Sequence, residues 1–271
     1  EILEKYSTEN DDVQERYIRR LACWNNIKTK YLQKDRKVEY VYTYTMKSFT
    51  TDAELLEIYD SRPDAFNEEE LLRVSTLKQS HEEKKEVYKT ILRYFPQSQT
   101  GANNLAVLLL REGNSQGAID VLTELAKHSP EVLNSMAAAY VYQHDYEKAI
   151  ELLQGAELPS AKYNLGLIKV QQRKLAEAYT LLKPFADLNS AIVALSVNEN
   201  QEAEKILLRL KDERPVAEYT RALTGARLEK DRMFYGHIGA ACQDSDLKRR
   251  AAGEADFMRY RKDEKFGNLI K

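Results

Sequence analysis

Alanine returns along this chain at intervals that only one kind of architecture satisfies. Ala118, Ala149, Ala178 and Ala203 lie 31, 29 and 25 residues apart, and each is followed by Leu or Ile at helical spacing. Two helices approach to about 8–10 Å only where the facing side chains are small. A small residue recurring at such a period therefore marks the crossing points of stacked helix pairs. The segment 100–130 shows one full unit: the large-then-small pair Leu105-Ala106, a turn at Gly113, the crossing Ala118-Ile119, then Leu122, Leu125 and Pro130. Proline stops a helix by removing a donor. Met136-Ala137, Tyr140, Tyr146, Ala149-Ile150, Leu153 and Ala156 repeat the frame, and so do Leu165-Gly166, Leu175, Ala178, Leu182 and Phe185. Ala203, Leu207, Leu210 and Pro215 give a further unit, whose first helix, Ser190 to Val197, is about one turn short. Val216–Leu228 pairs with Arg232–Cys242. Upstream, Leu71-Leu72, Lys84, Tyr88, Ile91 and Pro96 place a crossing 34 residues before Ala118. The count is six units.

Segments such as AIDVLTELAKHSP, YEKAIELLQGA and YNLGLIKVQQRKLAEAYTLLKPFA resemble tetratricopeptide (TPR) repeats, and the resemblance runs from Asn67 to Phe266. It implies an all-α fold, a TPR-like α-solenoid in which helix-turn-helix repeats build a right-handed superhelix over residues 51–271. The closing stretch Ala251 to Arg261, with Phe266, resembles the amphipathic cap of such arrays. A cap is physically required, because the last repeat otherwise exposes the apolar face meant for a neighbour.

Residues 1–50 follow another pattern. Asp11 to Gln33 reads as a helix, with Val13, Tyr17, Leu21 and Trp24 at helical spacing. From Val38 to Phe49 the period changes to two: Val38, Tyr40, Tyr42, Tyr44 and Met46 share one face, which predicts a β-strand. A lone strand leaves its backbone groups unpaired. Three partners are open to it: strands of a preceding domain, a symmetry mate in a homodimer through 38–49, or the first helices. The run KVEYVYTYTMKSFTTDAELLEIY, followed by EEELLRVSTL, resembles the junction in bacterial cell-envelope proteins that join an OmpA-like domain to a C-terminal TPR region. That resemblance implies a periplasmic or outer-membrane-associated setting. The chain opens at Glu1 without Met or a charged-then-apolar leader, so the expectation is a trimmed piece of a longer protein.

The function classes narrow by composition. Forty-one basic residues stand against 43 acidic ones, so no global field draws nucleic acid. No run approaches the roughly 18 apolar residues of a membrane helix, and direct membrane insertion is not expected. Cys23 and Cys242 form no metal-ligand spacing, and the four histidines stand apart. GxGxxG, GxxxxGK[ST] and HExxH are all missing. The expectation is a non-enzymatic scaffold with no cofactor and no catalytic or metal-binding residue; a deep pocket holding two or more strongly shifted titratable groups would revive an enzyme.

The TPR resemblance implies a concave groove lined by each unit's first helix. Spacing puts Asn103, Val107 and Leu110 on that face, then Asn134, Ala138, Val141 and Tyr142, then Tyr163, Leu167 and Val170. The lining is mostly apolar and lacks the Lys and Arg of grooves that clamp a carboxylate, so the expected protein or peptide ligand is a hydrophobic helix or an extended segment. A rigid spacer with no ligand groove is the competing expectation.

Overall fold

The computed structural model describes residues 2–8, 10–32 and 51–271. The chain divides into two compact units, Glu1–Ser48 and Phe49–Lys271. In the first, α1 (Ile2–Lys5) precedes α2 (Asp11–Ile18), which is capped by the Asn10 side chain accepting from the Val13 N–H. Tyr6 stacks on Tyr17 with ring centroids 4.0 Å apart. The single helix expected over Asp11–Gln33 is broken. After α2 the backbone tightens into i→i+3 bonds, Arg20 N–H to Tyr17 O and Leu21 N–H to Ile18 O, before α3 (Trp24–Ile27) runs into a π-helical turn, Lys28–Leu32. The cause is missing burial: Leu21 is exposed and neither α3 nor the π turn buries a residue. A short helix without packing has little to hold it in register. The strand expected at Val38–Phe49 lies outside the described residues, and the described residues contain no strand.

The second unit begins with α4 (Asp52–Tyr59) and a 3₁₀ turn at Pro63–Ala65. Leu55 and Phe66 from this stretch cover the first helix pair, burying themselves with Leu71, Val74, Val87 and Ile91. Six helix pairs follow among the described residues: α5 (Glu68–Leu77) with α6 (His81–Tyr94), α7 (Gln99–Arg111) with α8 (Ser115–Thr123), α9 (Pro130–Tyr142) with α10 (Tyr146–Gly155), α11 (Pro159–Gln171) with α12 (Leu175–Leu182), α13 (Leu188–Ser196) with α14 (Asn200–Arg209), and α15 (Pro215–Arg227) with α16 (Asp231–Ala241). The crossing residues Ala118, Ala149, Ala178 and Ala203 are fully buried, and so are their small partners on the first helices, Ala106 and Ala191. Asn67 with Glu70 and Ser80 with Glu83 form reciprocal capping boxes, so the acidic run 68–70 closes a helix start. Pro130, Pro159 and Pro215 open the next helix at its first position, where a missing N–H costs nothing.

Five successive pairs share one turn. The residue two positions before the second helix, Gly113, His144, Arg173, Asn198 or Glu229, lies in the left-handed region at φ 58 to 79°. The next residue's N–H returns to a carbonyl five positions back: Asn114 to Leu109, Asp145 to Tyr140, Lys174 to Lys169, Glu199 to Ala194 and Lys230 to Gly225, at 2.8–3.0 Å. This is the Schellman arrangement, which satisfies the orphan carbonyls at the helix end.

The first pair carries Lys84 at the crossing position, half-buried, and the sixth pair departs from alanine in the other direction. Phe234 occupies its crossing position and is fully buried. Gly225 on the facing helix makes room, since a Cβ there would stand 2.7 Å from the Phe234 backbone nitrogen. Phe234 also founds the C-terminal cap, built from α17 (Ser245–Gly253), a 3₁₀ segment Ala255–Tyr260, and α18 (Glu264–Ile270). Its ring stacks on Tyr260 at 3.7 Å and meets Phe257 and Phe266 edge-on.

Candidate partner-binding groove

The first helices α7, α9 and α11 pack side by side, as do α13 and α15. Between α9 and α11 this leaves an apolar cleft of about 330 Å³. From α9 come Ala137, Ala138, Val141 and Tyr142; from α11 come Asn164, Leu167, Ile168, Val170 and Gln171; Leu153 of α10 forms the floor. Val141 and Tyr142 end α9 one helical turn beyond Ala138, and Leu167 and Val170 repeat the register on α11, which is why one cleft gathers them. Tyr142 stands 61% exposed at the mouth, an aromatic ring presented to solvent where core packing does not claim it.

Five of the ten residues read from the sequence, Ala138, Val141, Tyr142, Leu167 and Val170, line this cleft. Asn134 sits beside it, its Oδ1 accepting from Asn164 Nδ2 at 2.9 Å. Asn103 and Val107 on α7 are half-buried, and the Asn103 Oδ1 is buried without a partner. Leu110 is a correction: it is 8% exposed and packs in the central core with Ala106 and Ala118, because the α7 register turns it inward at the helix end. Tyr163 lies outside this cleft and lines a neighbouring hollow of the first-helix face. It faces α13, where its hydroxyl donates to Asp187 Oδ2 at 2.5 Å and accepts from Asn189 Nδ2 at 2.7 Å, and Phe185 packs edge-on against its ring. Burial first, then the Asp187 carboxylate, raises the Tyr163 hydroxyl above its ordinary pKa. The sequence reading of the groove passed over Ala137, Leu153, Asn164, Ile168 and Gln171; the i+3 and i+7 relation of Asn164 to Leu167 and Gln171 places those three on one face.

Farther along, the first-helix face opens into two further hollows that share Ile192 and Val216. One, of about 440 Å³, reaches from Tyr163 and Asp187 to Asp212 and Arg214. The other, of about 220 Å³, runs between α13, α15 and α17 and contains Arg227, Arg250 and Glu254. Arg227 is engaged, donating to Leu195 O at 2.5 Å and to Asp256 Oδ2 at 2.8 Å, while Arg250 lies over the Tyr219 ring. The first hollow does collect shifted groups. Bidentate pairing with Arg214 holds the Asp212 carboxyl down at about 2. For Asp187 burial pushes upward, but hydrogen bonds from Tyr163 and from Ser190 outweigh it and the carboxyl is lowered. Both shifts move carboxylates away from neutrality, the reverse of what a general acid or base needs. Asp187 caps α13 and Asp212 anchors the loop before α15, so structure accounts for both. Among the described residues no three His, Cys, Asp or Glu side chains converge to bind a metal, and no helix is long and apolar enough to cross a membrane.

No family model and no curated protein matches this chain. Among solved structures it is similar to a chain of the APC/C hetero-tetramer Cut9-Hcn1, with TM-score 0.59 and 17% identity over 73% of this chain and 44% of that one. It is also similar to Pseudomonas aeruginosa pilF, with TM-score 0.53 and 18% identity over 78% of this chain and 99% of that one. This chain thus spans less than half the length of the first. At such identities the likeness speaks for the fold, an α-solenoid of TPR type.

Proposed function

We propose that the chain is a non-enzymatic interaction scaffold that receives a segment of a partner protein in the cleft between α9 and α11. The observation that carries this reading is Tyr142, an exposed ring at the mouth of an apolar cleft walled by Val141, Leu167 and Val170. Exposed aromatics beside a desolvated hollow are the usual energetic anchors of interfaces. The ligand is a hydrophobic helix or an extended segment carrying an apolar anchor. Selection from a displayed peptide library tests it. Clones enriched on the wild type lose binding to Tyr142→Glu and Leu167→Glu while keeping it to Leu208→Glu, a change at an exposed position of α14. Clones that bind all four proteins equally overturn the reading.

A rigid spacer is the second reading. It draws on the far end of the same face, where the chain's own α17 supplies Leu247 and Arg250 as a wall. Failure of the selection to enrich any clone favours it. The proposal also carries a setting, the bacterial periplasm or outer membrane beside an OmpA-like domain, supported by the junction sequence KVEYVYTYTMKSFTTDAELLEIY. Recovery of the native protein in the cytosolic fraction overturns that part alone.

A further inference from the structure

The charges along the first-helix face do not all cancel. In the two hollows that share Ile192 and Val216, Arg214 pairs bidentately with Asp212, Arg227 pairs with Asp256, and Arg250 lies 3.9 Å from Glu254. Asp187 is left over. Among the described residues no Lys, Arg or His pairs with its carboxylate, and the hydrogen bonds that lower its pKa come from uncharged groups.

The surroundings of Asp187 keep it charged without a counter-ion. The Ser190 N–H donates to Oδ1 at 2.9 Å and the Tyr163 hydroxyl donates to Oδ2 at 2.5 Å. Asn189 Nδ2 in turn donates to the Tyr163 oxygen at 2.7 Å, which directs the hydroxyl proton toward the acid. Asp187 also caps α13, whose N-terminus carries about half an elementary positive charge and so supports an anion without neutralising it. A carboxylate oxygen has two acceptor positions, so Oδ2 keeps one unused.

The hollow beside this carboxylate, about 440 Å³, is mixed in character. Ile192, Leu210 and Val216 give it apolar walls, and Ile192 and Val216 are exposed to solvent. A plain hydrocarbon placed there strips water from Asp187 and offers nothing in return, and an anion is repelled. A side chain with an apolar stem and a cationic head satisfies both parts, as lysine and arginine do. Arginine fits best, because its guanidinium is always charged and more weakly hydrated than an ammonium.

We infer that the hollow bounded by α11, α13 and α15 is a cation-accepting subsite, in which Asp187 pairs with an arginine or lysine side chain of the partner protein laid over Ile192 and Val216. Such a subsite presumes the interaction role proposed above but not the α9–α11 cleft. The two share α11 as a wall, with Leu167 and Val170 in the cleft and Tyr163 in the hollow. A partner segment that places an apolar anchor on one side of α11 and a basic residue on the other engages both.

Titration of the full chain with acetyl-arginine amide, followed by amide nuclear magnetic resonance, tests this without any peptide selection. Saturable shifts are expected at the Ser190 backbone N–H and the Asn189 side-chain amide, the two groups that report on Asp187 and Tyr163, with a Kd of about 1 mM. Asp187→Asn removes the charge and keeps a side chain that caps a helix equally well, so the fold is retained and binding weakens about tenfold. Glu254→Gln takes a carboxylate from the neighbouring hollow and leaves the Kd unchanged. Acetyl-norleucine amide, which has the stem without the head, gives no saturable shift at either group. No saturable shift with acetyl-arginine amide, equal affinity for Asp187→Asn, or an equal loss in Glu254→Gln overturns the subsite. Peptide clones that still depend on Tyr142 and Leu167 in that event leave the cleft reading standing.

Discussion

Arg173→Gly is the sharpest test of how the turns are held. Arg173 follows α11 at φ 58° and is exposed; its N–H donates to Val170 O at 2.9 Å, a bond that glycine keeps, and its side chain has no hydrogen-bond or ion-pair partner among the described residues. Its replacement therefore reports on the backbone alone. Holding an L-residue in the left-handed region costs about 1–2 kcal/mol. Glycine escapes that cost but gives back roughly 0.5–1 kcal/mol in unfolded-chain entropy. The net expectation is a gain of about 0.5–1 kcal/mol, which for a chain of this size moves Tm by about 2–4 °C per kcal/mol. Gly113→Ala is the mirror image. A Cβ at Gly113 meets nothing within 4 Å, so no clash confuses the reading, and the loss should be about 1 kcal/mol. Glu229→Gly should gain slightly less than Arg173→Gly, because it gives up an exposed ion pair with Arg259 at 3.6 Å, and the two should add, since the turns lie 56 residues apart and share no partner. Asn198→Gly should gain least, because asparagine tolerates this conformation. Urea midpoints followed by far-ultraviolet circular dichroism measure all four. Destabilisation by Arg173→Gly together with a neutral Gly113→Ala would refute the argument that these turns are strained rather than merely exposed.

Two more predictions concern the C-terminal end. Gly225→Ala should cost about 1–3 kcal/mol by overpacking, because the new methyl meets the Phe234 backbone; a melting temperature equal to wild type contradicts the fit of glycine to phenylalanine. Alkali should loosen the cap first. Burial, and then the Asp231 carboxylate, raise the Tyr260 hydroxyl to about 12, and Tyr219 and Tyr235 are raised by burial and then by Glu254 and Asp263. The folded state binds these protons more tightly than the unfolded one, so their stabilisation is full below pH 10 and is lost as pH rises from 10 toward 12. Loss of near-ultraviolet signal from the cap over that window, with helix content elsewhere retained, is the expected record; coincident unfolding of the whole chain speaks against it.

The crossing alanines were legible in the sequence because helix-to-helix distance leaves almost no choice of side chain there. The capping boxes at Asn67 and Ser80 were legible for a similar reason, since the chemistry is confined to four consecutive residues. The left-handed turns were legible only at Gly113. His144, Arg173 and Glu229 carry no local preference for that conformation, and the repeat imposes it on them through the packing of the two helices they join. Phe234 was not legible as a crossing residue, because that role depends on Gly225, nine positions earlier. Within the groove, half of the residues read from the sequence meet in one cleft, but a single helical step separates Tyr163 from Asn164. The first faces Asp187 and Asn189 at the start of α13 and the second faces the cleft, and periodicity alone does not divide neighbours so finely. The broken helix at 19–23 escaped because its apolar spacing is sound and what it lacks is a surface to pack against.

The shared turn also fixes how the chain can be edited. Joining Gln143 directly to Arg173 removes 29 residues and brings one left-handed residue to the place of another, so α9 would pair with α12 through Ala137 and Ala178, both small. Such whole-unit excisions preserve every crossing. The same operation between Asn198 and Glu229 does not, because it sets Ala194 where Gly225 stood and drives a methyl into Phe234. The final pair is therefore not interchangeable with the others. Length can vary inside the array, while its terminus is keyed to a single matched couple.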